Sequence, residues 1–355
     1  MNNYILNRTL SIFLVIQLFL IGVVSRFPQF IESYYSRGIY PFIGGFMRRL
    51  LGWIPVSVGD VLYVLLFIAI LRWLWYVYET RFSPFVEQLY RMTAFISVIV
   101  FLFHFLWGMN YYRLPLNEQM GIKSLTYDSL ALQQTTHRHI DKLNAIHYAL
   151  VDDDTIVPTT DYSKRAIYRI AAKQYKTFKN DSLDFKFRKH SVKKSLISKP
   201  LTYMGFTGYL NPFTGEAQVN RLIPMSSYPV TVTHEMAHQL GYASESEANY
   251  IGYLACINNP DLFFQYSGEL MAVRYLIKEI SLYNPALAQT YLKRLNPGIQ
   301  RNIQLSKDFW DSYKTPVKPI SQKVYDQYLK ANSQNHGLRS YNDMVGYLVN
   351  DNYNP

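Results

Sequence analysis

Three long stretches without charge in the first 112 residues constrain this chain more than any other feature. The interval between Arg8 and Arg26 holds 17 uncharged residues, and that between Arg91 and Arg113 holds 21. A third, Val61 to Tyr78, is broken only by Arg72. About 20 apolar residues in a helix match the ~30 Å hydrocarbon core of a bilayer. Membrane spans are therefore expected at residues 9–25, 61–78 and 92–112. Arg72 sits near one end of its run beside Trp73, Trp75, Tyr76 and Tyr78, a setting in which a long cation snorkels to the interface. No small-residue cleavage site follows the first run, so it reads as an anchor and not as a removable signal. Between the first two runs, Pro41 to Val58 mixes Phe42, Phe46, Leu50, Leu51, Trp53 and Ile54 with Arg48 and Arg49, the pattern of an interfacial amphipathic helix.

Beyond residue 113 the pattern changes. Apolar spacing predicts helices over Ser129–Leu150, Asp161–Phe178, Asp261–Ser281, Pro285–Leu295, Pro297–Tyr313, Ser321–Ser333 and Leu338–Val349. Between them, Leu201 to Val219 is rich in Gly, Thr, Tyr and Asn. There Asn211-Pro212 and Thr214-Gly215 mark a turn flanked by short strands at Tyr209-Leu210 and Glu216–Asn220. A strand just ahead of the next helix is a candidate sheet edge for holding an extended peptide. Cys256 is the only cysteine, so no disulfide can form within the chain. The net charge of +11 includes a cluster of Lys186, Arg188, Lys189, Lys193, Lys194 and Lys199 with His190. No nucleic-acid motif accompanies it, so we expect contact with anionic headgroups or a solvated loop.

The chemistry concentrates in His234-Glu235-Met236-Ala237-His238. Histidines four residues apart project from one face of a helix, which suits a single Zn²⁺, and Glu235 lies beside the open coordination position. The flanking Thr231-Val232-Thr233 and Gln239-Leu240 carry no other charge. Ser226 or Ser227 is positioned to cap the helix, Pro229 fits its first turn, and Gly241 fits its left-handed end. Two histidines need a third protein ligand, and Glu245 and Glu247 follow closely. Ser244 with Glu247 reads as a capping box, which gives Glu247 a structural task and makes Glu245 the preferred ligand. Asn249 falls one turn after Glu245, in reach of a ligating histidine from behind.

His-Glu-x-x-His followed by Glu-x-x-Ala-Asn resembles the gluzincin metallopeptidases. By position the resemblance implies His234, His238 and Glu245 as zinc ligands, Glu235 as catalytic base and Asn249 as the supporting residue. Asn249 stands where that family usually has an acid, and the gap from His238 to Glu245 is much shorter than is usual there. A metzincin pattern fails, since its third histidine would fall on Ser244. More broadly, the chain resembles an uncharacterised family of bacterial membrane proteins with N-terminal transmembrane helices and an expected zinc-peptidase domain. Gly52-Trp53-Ile54-Pro55, Trp107–Arg113 and Asn211–Ala217 carry that likeness. The expected fold is mainly α, with a transmembrane region over 1–112 and a largely helical, zincin-like α+β domain with a small sheet over 113–355.

These readings lead to a membrane-anchored zinc metallopeptidase with one Zn²⁺, acting on a peptide or protein substrate, with Glu235 as general base. His336, Arg339 and Tyr341 are candidates for an oxyanion donor. The alternative is a non-catalytic zinc-binding sensor or scaffold; a transporter fits poorly with three spans that have little polar lining. Arg26, Arg37, Arg48 and Arg49 pull their side toward the cytoplasm. Arg8 ahead of an uncharged run reads instead as a signal anchor in the inner membrane, which puts the catalytic domain outside.

Overall fold

The computed structural model describes residues 2–178, 190–334, 337 and 343–351. Three of its helices are long and apolar enough to cross a membrane, which makes this a membrane protein: α1 (Asn2–Val24), α4 (Val58–Glu79) and α5 (Phe85–Leu106). Their large apolar side chains point outward, from Ile5 and Phe19 on α1 to Phe67 on α4 and Phe101 on α5. α1 and α5 are joined by polar contacts on their shared face: Ser11 Oγ lies 2.6 Å from Thr93 Oγ1, and Gln17 Nε2 donates to the Ser97 carbonyl at 3.0 Å.

Between α1 and α4 the chain forms an unbroken helical rod. It comprises α2 (Pro28–Phe30), a π-helical stretch (Ile31–Ile39) and α3 (Tyr40–Leu51). The expected amphipathicity is present. Phe42 is 80 % exposed, Phe46 62 % and Trp53, just beyond the rod, 74 %, while Glu32, Tyr40 and Arg48 on the opposite face are buried. The third apolar helix corrects the expected 92–112. It begins at Phe85, after the extended Pro84, takes in Arg91 paired with Glu87 one turn earlier, and ends at Leu106, where Trp107 leaves helical geometry. A tight 3-10 turn, Gly108–Tyr112, follows, with Gly108, Asn110 and Tyr111 buried in protein.

The remainder is a layer of helices around a small sheet. In order come α6 (Leu116–Gln119), α7 (Ser129–Val151), α8 (Lys164–Thr177), β1 (Val192–Lys194), α9 (Ser198–Met204), β2 (Gly208–Asn211) and β3 (Glu216–Val219). Then follow α10 (Tyr228–Gln239), α11 (Glu245–Ile257), α12 (Leu262–Ser281), α13 (Pro285–Lys293), α14 (Pro297–Ser312), α15 (Val317–Ala331) and α16 (Met344–Asn350). Several helices start on local caps: Asp128 accepts from Ala131 N, Ser163 from Ala166 N and Asn284 from Leu287 N. The core gathers where α10, α11 and α12 meet, around Val232, Met236, Ile251, Leu254, Phe264 and Leu276.

The sheet order is β1-β3-β2. β2 and β3 form the expected hairpin, antiparallel, with Asn211 opposite Glu216. β1, not foreseen, pairs parallel to β3 with Val192 opposite Ala217. The strand nearest to α10 in sequence is therefore central, β1 and β2 are the two edge strands, and β2 is the one that lines the cleft beside α10.

Candidate metal centre

α10 is the His-Glu-x-x-His helix, and nearly all of it is buried. It has Pro229 in its first turn, as expected, and Gly241 just past its end at φ +89°. Ser227 precedes it without a side-chain cap bond.

What stabilises its far end comes from the membrane-proximal part of the chain. The last carbonyls of a helix have no partner within it. Here Trp107 Nε1 donates to the His238 carbonyl at 3.1 Å, Tyr40 Oη and Arg48 Nη1 to that of Gln239 at 2.9 and 2.8 Å, and Arg113 Nη1 to that of Gly241 at 3.0 Å. Arg113 is itself fixed by Glu32 in a two-pronged ion pair of 2.9 and 2.8 Å. Each such bond adds about 1 kcal/mol, and more where the donor is charged.

α4 is anchored to the sheet by the same logic in reverse. The Glu216 carboxylate accepts from Gly59 N at 2.6 Å, at the start of that helix, and pairs with Lys193. Asp60 accepts from Tyr209 Oη and, at 2.7 Å, from Leu196 N. Lys193 Nζ also donates to the carbonyls of Leu51 and Val56 at 2.9 and 3.0 Å, closing the turn around Gly52–Pro55. Lys193 is thus a buried structural cation, which corrects the expectation of a solvated or lipid-facing cluster for this residue. Lys186, Arg188 and Lys189 lie outside the described residues.

At the centre, His234 Nε2 and His238 Nε2 lie 3.3 and 3.7 Å from the same oxygen, Glu245 Oε2. His234, Glu235 and His238 also group closely, their nearest donor atoms all within 4.8 Å of one another. His238 Nδ1 faces the Tyr242 carbonyl at 2.7 Å, which fixes a proton there and turns Nε2 to the centre. Glu245 Oε2 and Glu235 Oε2 are buried without a hydrogen-bond partner. Burial pushes the Glu235 carboxyl up to about 8, with His238 offsetting part of the rise and Glu245 adding to it. Burial also disfavours a charged His238, yet Glu245 outweighs it and holds His238 up at about 9. The same contacts keep the buried Glu245 well below the usual carboxylate range, whereas burial lowers His234.

Two ligands of a tetrahedral zinc at ~2.05 Å are separated by about 3.3 Å. Two imidazole nitrogens and a carboxylate at the observed spacings, with the carboxylate oxygen unpartnered, fit one such ion. Glu247 is turned elsewhere: its Oε1 accepts from Leu116 N at 2.8 Å, and Ser244 makes no cap bond, so the expected capping box is not formed. Glu247 has a structural task, but a different one. Asn249 lies beside His234 as expected. Its amide, however, donates to Tyr275 Oη at 3.3 Å, and His234 Nδ1 is left without a partner.

Two features of the site escaped sequence reasoning. Tyr325, on α15, donates to Glu245 Oε1, a contact across 80 positions with no local signal. Gly208, on the edge strand β2, passes so close to Glu235 that a Cβ there would lie 2.6 Å from its Oε1. His336, Arg339 and Tyr341 lie outside the described residues. The site opens into a cleft of about 1230 Å³, lined among others by Phe206, Gly208, Tyr209, His234, Glu235 and Tyr325.

Residues 35–349 match the model of a family described as protein of unknown function (DUF3810), and the chain belongs to that family. The match takes in the amphipathic rod from Tyr35 onward, α4, α5 and every residue of the candidate centre; α1 lies outside it. No curated protein and no solved structure matches the chain.

Proposed function

We propose that this protein is a membrane-anchored zinc metallopeptidase of the gluzincin kind. The carrying observation is the convergence of His234 and His238 on one oxygen of Glu245, with Glu235, whose Oε2 is buried without a hydrogen bond, beside them. His234, His238 and Glu245 would hold the ion, and Tyr325 would steady Glu245 from behind. Bound there, Zn²⁺ supplies Lewis acidity for the scissile carbonyl and brings a water's pKa toward neutrality.

The protein's own part follows from its residues. Glu235 takes a proton from the attacking water and passes it to the leaving amine nitrogen. Its placement supports this: Glu235 groups within 4.8 Å of both histidines and lines the cleft, where a base acting on a metal-activated water has to sit. The edge of β2 holds the substrate as an added extended strand, with Gly208 leaving room for the base. A purely structural zinc site, as in a sensor or scaffold, has no use for a buried unpaired carboxylate open to a large cleft. We assign the protein to the cell's inner membrane with this domain outside, on the strength of Arg8 preceding an uncharged run.

Glu235→Gln tests the reading. The variant should keep its zinc and lose peptide hydrolysis by about 10²-fold or more. Unchanged hydrolysis would refute Glu235 as the base.

A further inference from the structure

Resting on that peptidase reading, we propose that the substrate is a polypeptide tethered to the bilayer, cut within a few residues of its anchor. The cleft that contains His234 and Glu235 is walled on another side by Tyr63, Phe103, Trp107 and Tyr111. Tyr63 is in the second turn of the membrane helix α4, and Phe103 in the last turn of α5. At 1.5 Å per residue, Tyr63 lies about 7–8 Å inside the start of its helix, and Phe103 about 4–5 Å inside the end of its own. The first turn of α4 is embedded in protein, with Asp60 bonded to Tyr209 and Leu196, so lipid contact begins beyond that turn. The cleft therefore reaches down to the level where helix meets bilayer, and its walls there are aromatic, as suits the headgroup region. Tyr63 stacks on Tyr209 of the edge strand β2 at 5.9 Å, so the membrane helix and the strand that receives substrate are contiguous.

A second, independent observation gives the same depth. The rod ending in α3 presents Phe42 and Phe46 outward, and from its other face Tyr40 and Arg48 reach the last carbonyls of α10. A helix with its side chains is about 10 Å across. The end of the His-Glu-x-x-His helix thus lies about one helix diameter from a surface built for lipid. Trp107, the first residue after α5, sits with its ring 6.1 Å from that of His238. An extended chain covers that in about two residues. A scissile bond at the site therefore falls close to the membrane boundary, in reach of a segment just emerging from it. A free soluble peptide gains nothing from this arrangement.

The test uses the full chain reconstituted with zinc into phosphatidylcholine vesicles. Three probes carry the same unfolded 40-residue segment (a length chosen on the order of six times the expected reach): one on a single transmembrane helix, one on an acyl chain, one free in solution. The expected result is cleavage of both tethered probes at least tenfold faster than the free one, with cut sites within about six residues of the anchor. Faster cutting of the helix-anchored probe alone supports the proposal and identifies a transmembrane anchor as the source; faster cutting of the acylated one alone identifies a lipid anchor. Equal cutting of the free probe, or cuts spread evenly along the segment, overturns the proposal and leaves the peptidase reading intact. No cutting of any probe by zinc-loaded protein overturns both, as does release of fatty acid from the vesicles in place of peptide cleavage.

Discussion

Gly208→Ala isolates the placement of the base from the binding of metal. A Cβ at this position would lie 2.6 Å from Glu235 Oε1, 3.0 Å from its Cδ and 2.8 Å from the Gln218 carbonyl oxygen. Ordinary contact begins near 3.4 Å, so the carboxylate has to yield about 0.8 Å. Part of the clash falls on the paired strand, through the Gln218 carbonyl oxygen, so the β2–β3 pair shifts as well and adds to the displacement of the base. Misplacing a reacting group by 1 Å costs on the order of 10²-fold. The variant should therefore lose between about 10- and 100-fold in kcat/KM, or about 1.4–2.7 kcal/mol of transition-state stabilisation. Zinc content should not change, since Glu235 is not a ligand. The assay is hydrolysis of a fluorogenic, membrane-anchored unfolded polypeptide by the detergent-solubilised full chain, with metal analysis of the same samples. Activity within twofold of the parent would refute the reasoning, and parallel loss of zinc would show that Glu235 binds the ion.

Two further expectations concern stability and topology. Glu269 is fully buried against His139 at 2.7 Å and Lys142 at 3.0 Å; burial favours its protonation, but these partners prevail and hold it below the usual range. The folded group then gives up its proton at lower pH than the unfolded chain, so its stabilisation is complete above the ordinary glutamate value of about 4.3 and fades as pH falls through the lower folded one. Glu269→Gln should cost about 3 kcal/mol at pH 7, the low end for a broken buried pair because Lys142 is partly exposed, and should flatten the acid limb of a denaturation series; an unaltered acid limb would contradict it. For topology, Cys256 is buried and leaves little background. A cysteine replacing the exposed Lys307 should react with a membrane-impermeant maleimide in intact cells, and labelling only after permeabilisation would reverse the orientation.

Much of the architecture is visible in residue order because its causes are local. Uncharged runs specify the membrane helices, and the spacing of His234 and His238 puts both imidazoles on one face. Asn211, Thr214 and Gly215 specify a hairpin turn. What could not be read depends on contacts remote in sequence. The donors that cap α10 are between 128 and 199 positions away from the carbonyls they serve. Two stretches that look like mere likeness on paper have structural tasks: Trp107–Arg113 caps the end of α10, and Asn211–Ala217 supplies Glu216, which anchors α4. The third apolar helix starts before Arg91, at Phe85, directly after Pro84, so an uncharged run alone does not mark where a helix begins. The capping box at Ser244 is plausible locally, but Glu247 finds a better partner in the Leu116 amide. Tyr325 has no sequence signal at all; only folding brings α15 over Glu245.

The measurement closest to the central claim is the zinc stoichiometry of the purified full chain, compared across Glu245→Ala and Glu247→Ala. The account predicts one zinc per chain in the parent, near-complete loss in Glu245→Ala, and retention in the folded Glu247→Ala protein. Metal-free parent protein, or loss confined to Glu247→Ala, would contradict it.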